Sequence, residues 1–295
     1  MRSKYFVLSA LVFICATSSY ALNFRNSIPQ ESSALSFNVD ENIGYKTGAN
    51  LDAYEKERCK LDLYVPKNIR NFPVIVWFHG GSLKAGSKDD ASTKKVAKRL
   101  AEEGFAVAVV NYRLFPQVKY PAYINDAAAA VAWVVGNILK YGGNPKSLFV
   151  CGHSAGGYIA YMLVLAPKYL KGYNVENMSL AGIVPIAGQT FTHSTIREER
   201  GIPDPSNTPI IDEAAPAYNA RKDTPPILIA CADGDAPVTL AQNKYMWALL
   251  NSIENKNVSY IEIVNHDHIT LVTKFPEKND PLAEAIIKFV NMNKK

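Results

Sequence analysis

The chain has 295 residues, of which 48% are hydrophobic and 20% are charged. This is the composition of an ordinary globular protein, and one domain is the default expectation for an α/β chain of this length. The formal net charge of +5 is too small to indicate a nucleic-acid-binding protein.

The N-terminus has the layout of a secretory signal peptide. Arg2 and Lys4 precede an apolar run over residues 5–16, and a pattern with small residues at positions 19 and 21 follows, Ser-Tyr-Ala. The run is well short of the roughly 20 residues that a membrane-spanning helix needs. We therefore predict a signal peptide over residues 1–21, a secreted or periplasmic mature protein and no stable membrane insertion. A membrane anchor is the competing interpretation.

From residue 73 onward, short β-branched and aromatic runs alternate with longer helical patterns, which indicates a mostly parallel sheet with helices on both faces. Six strands are predicted, each apolar enough to be buried on both faces: Pro73–Phe78, Ala106–Tyr112, Ser147–Gly152, Leu180–Ile186, Ile227–Ala232 and Ser259–Val264. The helices predicted between or after them are Ala91–Glu103, Tyr123–Tyr141, Gly156–Leu165, Leu240–Ser252 and Leu282–Asn291. An antiparallel pair upstream, Ala34–Tyr45 and Arg58–Val65, brings this α/β sheet to about eight strands.

The segment 188–223 breaks this alternation, because it is rich in Pro, Thr, Asn and charged residues. It is too long for a plain connection between two elements. It predicts a cap insertion at about 189–220 within one domain over residues 22–295. The walls of a substrate pocket are expected from this cap and from the segment after Ala21.

The strongest motif is Gly-x-Ser-x-Gly at residues 152–156, between a predicted buried strand and a predicted helix. A sharp strand-to-helix turn needs glycine on both sides of the serine, because the backbone is strained and the neighbouring chain passes close. The turn places Ser154 at the start of a helix, where free N–H groups and the helix dipole favour a developing oxyanion. Ser154 is therefore the candidate nucleophile.

A second motif, His-Gly-Gly-Ser at residues 79–82, follows the predicted strand Pro73–Phe78. A glycine turn at this place can direct backbone N–H groups inward, where they hold the oxyanion of a tetrahedral intermediate. Alone, the motif is equally typical of a tight turn after a strand. One crossover upstream of the Ser154 turn, it predicts an oxyanion loop.

Three further stretches accompany these motifs: Asn-Tyr-Arg-Leu-Phe-Pro at 111–116, Tyr-Pro-Ala at 120–122, and Asp126. Together they resemble the esterase and lipase group of α/β-hydrolases, which includes hormone-sensitive-lipase-like esterases and bacterial feruloyl or acetyl-xylan esterase-like enzymes. The resemblance runs from about residue 61 to the C-terminus. It implies that the backbones of Gly81, Ser82 and Ala155 form the oxyanion hole, although Ser82 replaces a third glycine that is common in the group.

In such enzymes the acid follows the next-to-last strand and the base follows the last strand, in the chain order Ser, Asp, His. The group's His-Gly-x-x-Asp pattern ends at Asp235, although Cys and Ala replace its His and Gly here. The group's Asp-His pair ends at His268. Asp235 and His268 are therefore the candidate acid and base. Asp233 stays open as the alternative acid and His266 as the alternative base.

The other histidines have other predicted roles. His79 is expected to be a structural hydrogen-bonding residue of the oxyanion turn, His153 fills the variable position beside Ser154, and His193 lies in the predicted cap. No metal-ligand spacing and no phosphate- or dinucleotide-binding glycine loop is present, so neither metal nor cofactor is predicted. The cysteines after the signal peptide are predicted to be buried and unpaired: Cys59, Cys151 and Cys231.

The resemblance implies a serine carboxylesterase that hydrolyses small-molecule or glycan esters through an acyl-enzyme. The predicted secretion favours an external ester, such as an acetylated or feruloylated polysaccharide. An amidase resembling arylformamidases is the alternative enzyme, because ester and amide hydrolysis share the same kind of intermediate. A non-catalytic binding protein that keeps the fold is a third interpretation, since fold does not fix function. No nucleic-acid partner is expected, and the sequence indicates no particular oligomeric state.

Overall fold

A computed structural model describes residues 34–295, so the predicted signal peptide lies outside the described residues. The strands are β1 Phe37–Gly44, β2 Lys60–Pro66, β3 Phe72–Phe78, β4 Ala106–Val110, β5 Gly143–His153, β6 Gly182–Ile186, β7 Ile227–Ala232 and β8 Val258–Ile263. The helices are α1 Ala53–Arg58, α2 Ala91–Glu102, α3 Ala122–Asn137, α4 Ala155–Leu165, α5 Lys168–Lys171, α6 Ser194–Glu199, α7 Pro237–Ser252, α8 Thr270–Thr273 and α9 Pro281–Asn293.

One sheet contains all eight strands, in the spatial order β1-β2-β4-β3-β5-β6-β7-β8. The pairs β1–β2 and β2–β4 are antiparallel, and every other neighbouring pair is parallel. The predicted α/β fold, with a mostly parallel eight-stranded sheet and an antiparallel N-terminal pair, is therefore confirmed. Parallel strands place their carboxyl ends at one edge, which is where open α/β sheets bind ligands.

Helices cover both faces of the sheet, because successive strand residues point to opposite sides. Along β3, Val74, Val76 and Phe78 belong to a core cluster with buried residues of α3 and α4. Ile75 and Trp77 belong to a second cluster with buried residues of α2 and α9. Every residue of β3 is buried, as predicted from its continuous apolar run.

The prediction for β8 was wrong. Ile263 is the one buried residue of this strand, although the apolar and aromatic content of the segment suggested burial on both faces. β8 pairs only with β7 and ends the sheet, so its other edge has no neighbouring strand among the described residues. An edge strand is partly solvated, and the polar side chains of Ser259 and Glu262 suit that position.

The helix α3 continues into a 3₁₀ turn over Ile138–Tyr141, which together match the single helix predicted for Tyr123–Tyr141. By length and composition alone these 20 residues could cross a membrane. Half of them are buried, and the apolar residues buried in α3 belong to the core cluster beside α4. The predicted burial of three unpaired cysteines is also confirmed: Cys59, Cys151 and Cys231.

Candidate active site

A cavity of about 350 Å³ lies at the carboxyl edge of the sheet. It is bounded by the loops that follow β3, β5 and β8, and both Ser154 and His268 line it. The predicted loop residues Gly81 and Ser82 line the same cavity. The fold thus brings together residues that are separated by more than a hundred positions in the chain.

Ser154 occupies a strained turn between β5 and α4, with φ of 57° and ψ of −116°. The flanking glycines are required by close contacts. A Cβ on Gly156 would lie 2.0 Å from the Phe78 carbonyl oxygen, and a Cβ on Gly152 would lie 2.4 Å from the Gly156 carbonyl oxygen. This confirms the predicted reason for glycine on both sides of the serine. The turn holds the half-buried Ser154 at the cavity wall.

The loop after β3 also has a left-handed backbone, with φ of 107° at Gly81 and 55° at Ser82. Such a conformation costs a non-glycine residue about 1–2 kcal/mol, so the surrounding contacts must hold it. The Tyr112 hydroxyl donates to the His79 carbonyl at 2.8 Å, and the Thr195 hydroxyl donates to the Ser82 carbonyl. These two hydrogen bonds help to hold the loop in its strained shape.

The N–H groups of Gly81, Ser82 and Ala155 donate to no protein acceptor within residues 34–295. Ala155 is the first residue of α4, and the first N–H groups of a helix have no partner within the helix. The loop is close to the nucleophile, since a Cβ on Gly80 would lie 3.3 Å from the Ser154 Cβ. The site therefore holds three free donors on the two loops that meet at Ser154.

His268 and Asp235 form a hydrogen bond of 2.7 Å between Nδ1 and Oδ1. The Asp235 side chain is fully buried, and its Oδ2 accepts the Ala232 N–H at 2.8 Å. The His268 side chain is 36% exposed at the cavity. Because Nδ1 donates to the carboxylate, Nε2 of the neutral ring carries the lone pair that can take a proton.

Asp233 and His266, the alternative acid and base, make hydrogen bonds outside the cavity. The Asp233 carboxylate accepts the backbone N–H groups of Asn265 at 3.1 Å and His266 at 3.2 Å, and these bonds lower its pKa. The His266 ring bonds Asp280 through Nε2 and the Val264 carbonyl through Nδ1, each at 3.0 Å. Neither Asp233 nor His266 lines the cavity.

Three other histidines are buried in neutral form. Burial lowers the pKa of His79 to about 4 and those of His153 and His193 to about 3. His79 bonds the Gly80 carbonyl through Nδ1 at 2.7 Å and stacks on Tyr112 with ring centroids 4.4 Å apart. This is the structural hydrogen bond predicted for His79.

The region around Asp126 supports the oxyanion loop from behind. Arg113 bonds the fully buried Asp126 carboxylate through Nε and through a terminal nitrogen, each at 2.8 Å. Lys46 pairs with the same carboxylate and with Glu55. These bonds fix the strand end that carries Tyr112, whose hydroxyl holds the His79 carbonyl. Burying a carboxylate is costly unless it is paired, which explains the two cations.

Several cavity residues were not predicted as site residues. They come from β3, from the N-terminal turns of α2 and from the segment around α8: Trp77, Asp90, Ser92, Thr93, Val96, Ile269, Val272 and Thr273. Apart from Trp77 near the end of β3, they follow β3 and β8 in the chain at the carboxyl edge of the sheet, and this position is the signal that could have indicated them. The pocket walls were instead expected from the segment 189–220 and from the segment after Ala21, of which residues 22–33 lie outside the described residues. The segment 189–220 supplies no lining residue of this cavity.

The segment 189–220 contains α6 and packs beside the oxyanion loop. Besides the Thr195 contact with Ser82, Lys84 pairs with Glu198, and the Tyr120 N–H donates to Glu199 at 2.9 Å. The Tyr158 hydroxyl of α4 donates to the Ala214 carbonyl at 2.8 Å. The segment therefore braces one side of the loop.

Known proteins show the same architecture. The sequence model of the BD-FAE family matches residues 61–250. Esterase LipQ of Mycobacterium tuberculosis is 26% identical over 216 residues, which cover 68% of this chain and 50% of LipQ. Kynurenine formamidase of Salmo salar is 23% identical over 256 residues, which cover 83% of this chain and 82% of the formamidase. The chain thus spans about half the length of LipQ.

Among solved structures, a truncated carbohydrate esterase from gut microbiota superposes with a TM-score of 0.70 at 19% identity, covering 88% of this chain and 97% of that chain. A Pyrobaculum calidifontis esterase gives a TM-score of 0.64 at 21% identity, covering 88% and 86%. These likenesses show a shared fold. With the family match over more than half of its length, the chain belongs to the BD-FAE family, within the esterase and lipase group of α/β-hydrolases.

Proposed function

We propose that the protein is a serine carboxylesterase in which Ser154 is the nucleophile, His268 the general base and Asp235 the acid that orients it. The observation that carries the proposal is the 2.7 Å bond from His268 to the buried Asp235, at a cavity that Ser154 also lines. Asp233 and His266 are engaged in loop contacts, which supports Asp235 and His268 over them.

The mechanism follows from these positions. His268 Nε2 takes the proton of the Ser154 hydroxyl as its Oγ attacks the ester carbonyl carbon, and the C=O π electrons move onto oxygen. The free N–H groups of Gly81, Ser82 and Ala155 hold that oxyanion. The intermediate collapses when the C–O bond to the alcohol breaks and His268 returns the proton to the alcohol oxygen. Water, activated by the same ring, then releases the acid from the acyl-enzyme.

The proposed substrates are carboxylic esters, and acetyl or feruloyl esters of polysaccharides are the proposed natural class. A cavity of about 350 Å³ is near the lower end of ligand pockets, which suits a compact group. One structural neighbour is named as a carbohydrate esterase, and another as a bifunctional GH43-CE of Bacteroides eggerthii. These names support carbohydrate esters as the substrate class.

A second candidate is an amidase of the formamidase kind. The formamidase relative matches 83% of this chain and 82% of its own length, so the similarity extends over nearly the whole of both. The two reactions differ in the leaving group, because an amine must be protonated before it departs. His268 is placed to do this in either case.

The test is a chain-length series of nitrophenyl esters beside acetylated and feruloylated sugars, each run with wild type and Ser154→Ala. We expect turnover of short esters that falls in Ser154→Ala by several orders of magnitude. Undiminished turnover in the variant would contradict the proposed nucleophile. A formyl ester and formyl amide of matched structure, run in parallel, separate an esterase from an amidase. No turnover and no labelling by a fluorophosphonate would support a non-catalytic binding protein.

We also propose that residues 1–21 direct export and are then removed. Arg2, Lys4 and the apolar run support this proposal. Intact mass of the protein recovered from a secreting host tests it. We expect a chain that begins at Leu22, and a full-length chain retained inside the cell would contradict export.

A further inference from the structure

His153 lies at the junction of the three parts of the proposed site. It ends β5 directly before Ser154, and its ring centroid is 4.6 Å from that of His268, with the planes tilted by 46°. On another side, a Cβ on Gly80 would lie 3.3 Å from His153 Nδ1. The ring therefore fills the space between the oxyanion loop and the base.

The ring is buried, and one of its two nitrogen atoms has no hydrogen-bond partner among the described residues. His153 is 6% exposed, and its Nε2 is one of the few buried polar atoms in residues 34–295 without a partner. Leaving such an atom unpaired costs about 1–3 kcal/mol, which an apolar residue of similar shape would avoid. A residue with this cost, in contact with the base and beside the nucleophile, is a candidate for a functional role.

We propose that His153 is a positioning residue: its ring packs against the imidazole of His268, keeps water from that face, and holds His268 in place for Asp235. The inference rests on the proposed function, because it assigns His153 a task in the same site. In this proposal His153 acts through its ring contact with His268.

The charges around His153 keep its ring neutral. Burial is the main cause that lowers its pKa to about 3, and the positive charge of His268 adds to this effect. A hydrogen bond with the His268 backbone and the charge of Asp235 act in the opposite direction and are weaker. From the oxyanion loop, His79 is also neutral, with a pKa of about 4. Because the rings of His153 and His79 are both neutral, the charge that faces a protonated His268 is that of Asp235.

This arrangement has a measurable consequence for His268. A small residue at 153 lets water reach the ring of His268, and water stabilises the protonated form, so the pKa of His268 rises. A Phe at 153 keeps water out and should leave that pKa near its wild-type value. The two substitutions therefore separate exclusion of water from a general loss of packing.

The experiment is an NMR titration of the His268 imidazole in the full chain, in wild type, His153→Ala and His153→Phe. His193→Ala is the matched control, because His193 is an equally buried neutral histidine without a ring contact to His268 among the described residues. We expect the pKa of His268 to rise by about half a unit in His153→Ala and to stay unchanged in His153→Phe and His193→Ala. If His153→Ala does not fold, His153→Asn replaces it.

A second readout is the rate at which a fluorophosphonate labels Ser154 across pH. His153→Ala should label about tenfold more slowly at the pH optimum, because the base is less well placed, and its acidic limb should move upward. An unmoved pKa, or equal shifts in the Ala and Phe variants, would overturn the inference. If wild type is not labelled at all, the proposed function fails, and the titration still decides the role of His153.

Discussion

The loops after β7 and β8 carry two pairs of residues, each made of one aspartate and one histidine. The two pairs differ in the contacts that their side chains make. Asp235 and His268 bond each other, and His268 reaches the cavity. Two positions earlier in each loop, Asp233 ties the two loops together through the backbone of Asn265, and His266 ties its loop to the start of α9 through Asp280. We propose that the first pair serves the chemistry, whereas the second supports the loops, although the residue types are identical.

Chain order decides only part of this difference. The order Ser, Asp, His selects the loops after β7 and β8, but each loop carries two candidates two positions apart. Only the path of the backbone determines which side chain faces the cavity. Here the Asp233 carboxylate accepts hydrogen bonds from backbone N–H groups, whereas the buried Asp235 carboxylate bonds the His268 ring.

The largest expected difference between the pairs is in turnover. Asp235→Asn should lower kcat by about three to four orders of magnitude, because the amide no longer orients or stabilises the His268 imidazolium. Asp233→Asn should keep kcat within a few-fold. Steady-state kinetics on a short nitrophenyl ester measure both. The reverse pattern would assign the acid to Asp233.

The free energy of unfolding should show the opposite pattern, because it should fall on substitution of His266 and change little on substitution of His268. His266→Gln breaks the bond to the buried Asp280, which also caps α9 through the Ala283 N–H at 2.8 Å. We expect a loss of about 1–3 kcal/mol in the free energy of unfolding, since a buried partner is left unpaired. His268→Gln should change stability little and abolish turnover. Denaturant unfolding, monitored by circular dichroism, measures the stability of both variants. Equal losses of stability would contradict a supporting role that is specific to His266.

The stability that Asp233 contributes should also depend on pH. Backbone donors, first that of Asn265, lower the pKa of Asp233, so its stabilising effect is present above the ordinary pKa of an aspartate and is lost as pH falls through its own lower value. Wild type should therefore be more stable than Asp233→Asn at neutral pH and equal to it in acid. Thermal unfolding across pH measures this, and a constant difference down to strong acid would contradict it.

A smaller effect is expected at the cavity rim, where the neighbouring carboxylates of Asp89 and Asp90 differ in their surroundings. Asp90 lines the cavity, whose lining within residues 34–295 contains no Lys or Arg, whereas Asp89 pairs with Lys88 and Lys94. Asp90→Asn should raise kcat/KM for an anionic ester relative to a neutral one by about threefold, less at high salt. Asp89→Asn is the matched control and should leave the ratio unchanged. Equal ratios in both variants would exclude a role of Asp90 in charge selection.

Much of the fold could be predicted, because buried parallel strands and the Gly-x-Ser-x-Gly turn depend on local pattern and close backbone contacts. The turn at Ser154 is an example, since Gly156 has no room for a Cβ beside Phe78. The exposure of β8 could not be predicted, because it depends on the strand's place at the end of the described sheet rather than on its own residues. Likewise, Asp90 and Ile269 meet at the cavity only through the crossover geometry of the sheet.

The most direct test of the account is the site at which a covalent intermediate forms. Folded wild type, Ser154→Ala and Asp235→Asn are treated with a fluorophosphonate, and the labelled peptide is identified by mass. We predict one label per wild-type chain on Ser154, none in Ser154→Ala, and slow labelling of the same serine in Asp235→Asn. Labelling of another residue, or equal labelling of Ser154→Ala, would contradict the central claim that Ser154 is the nucleophile.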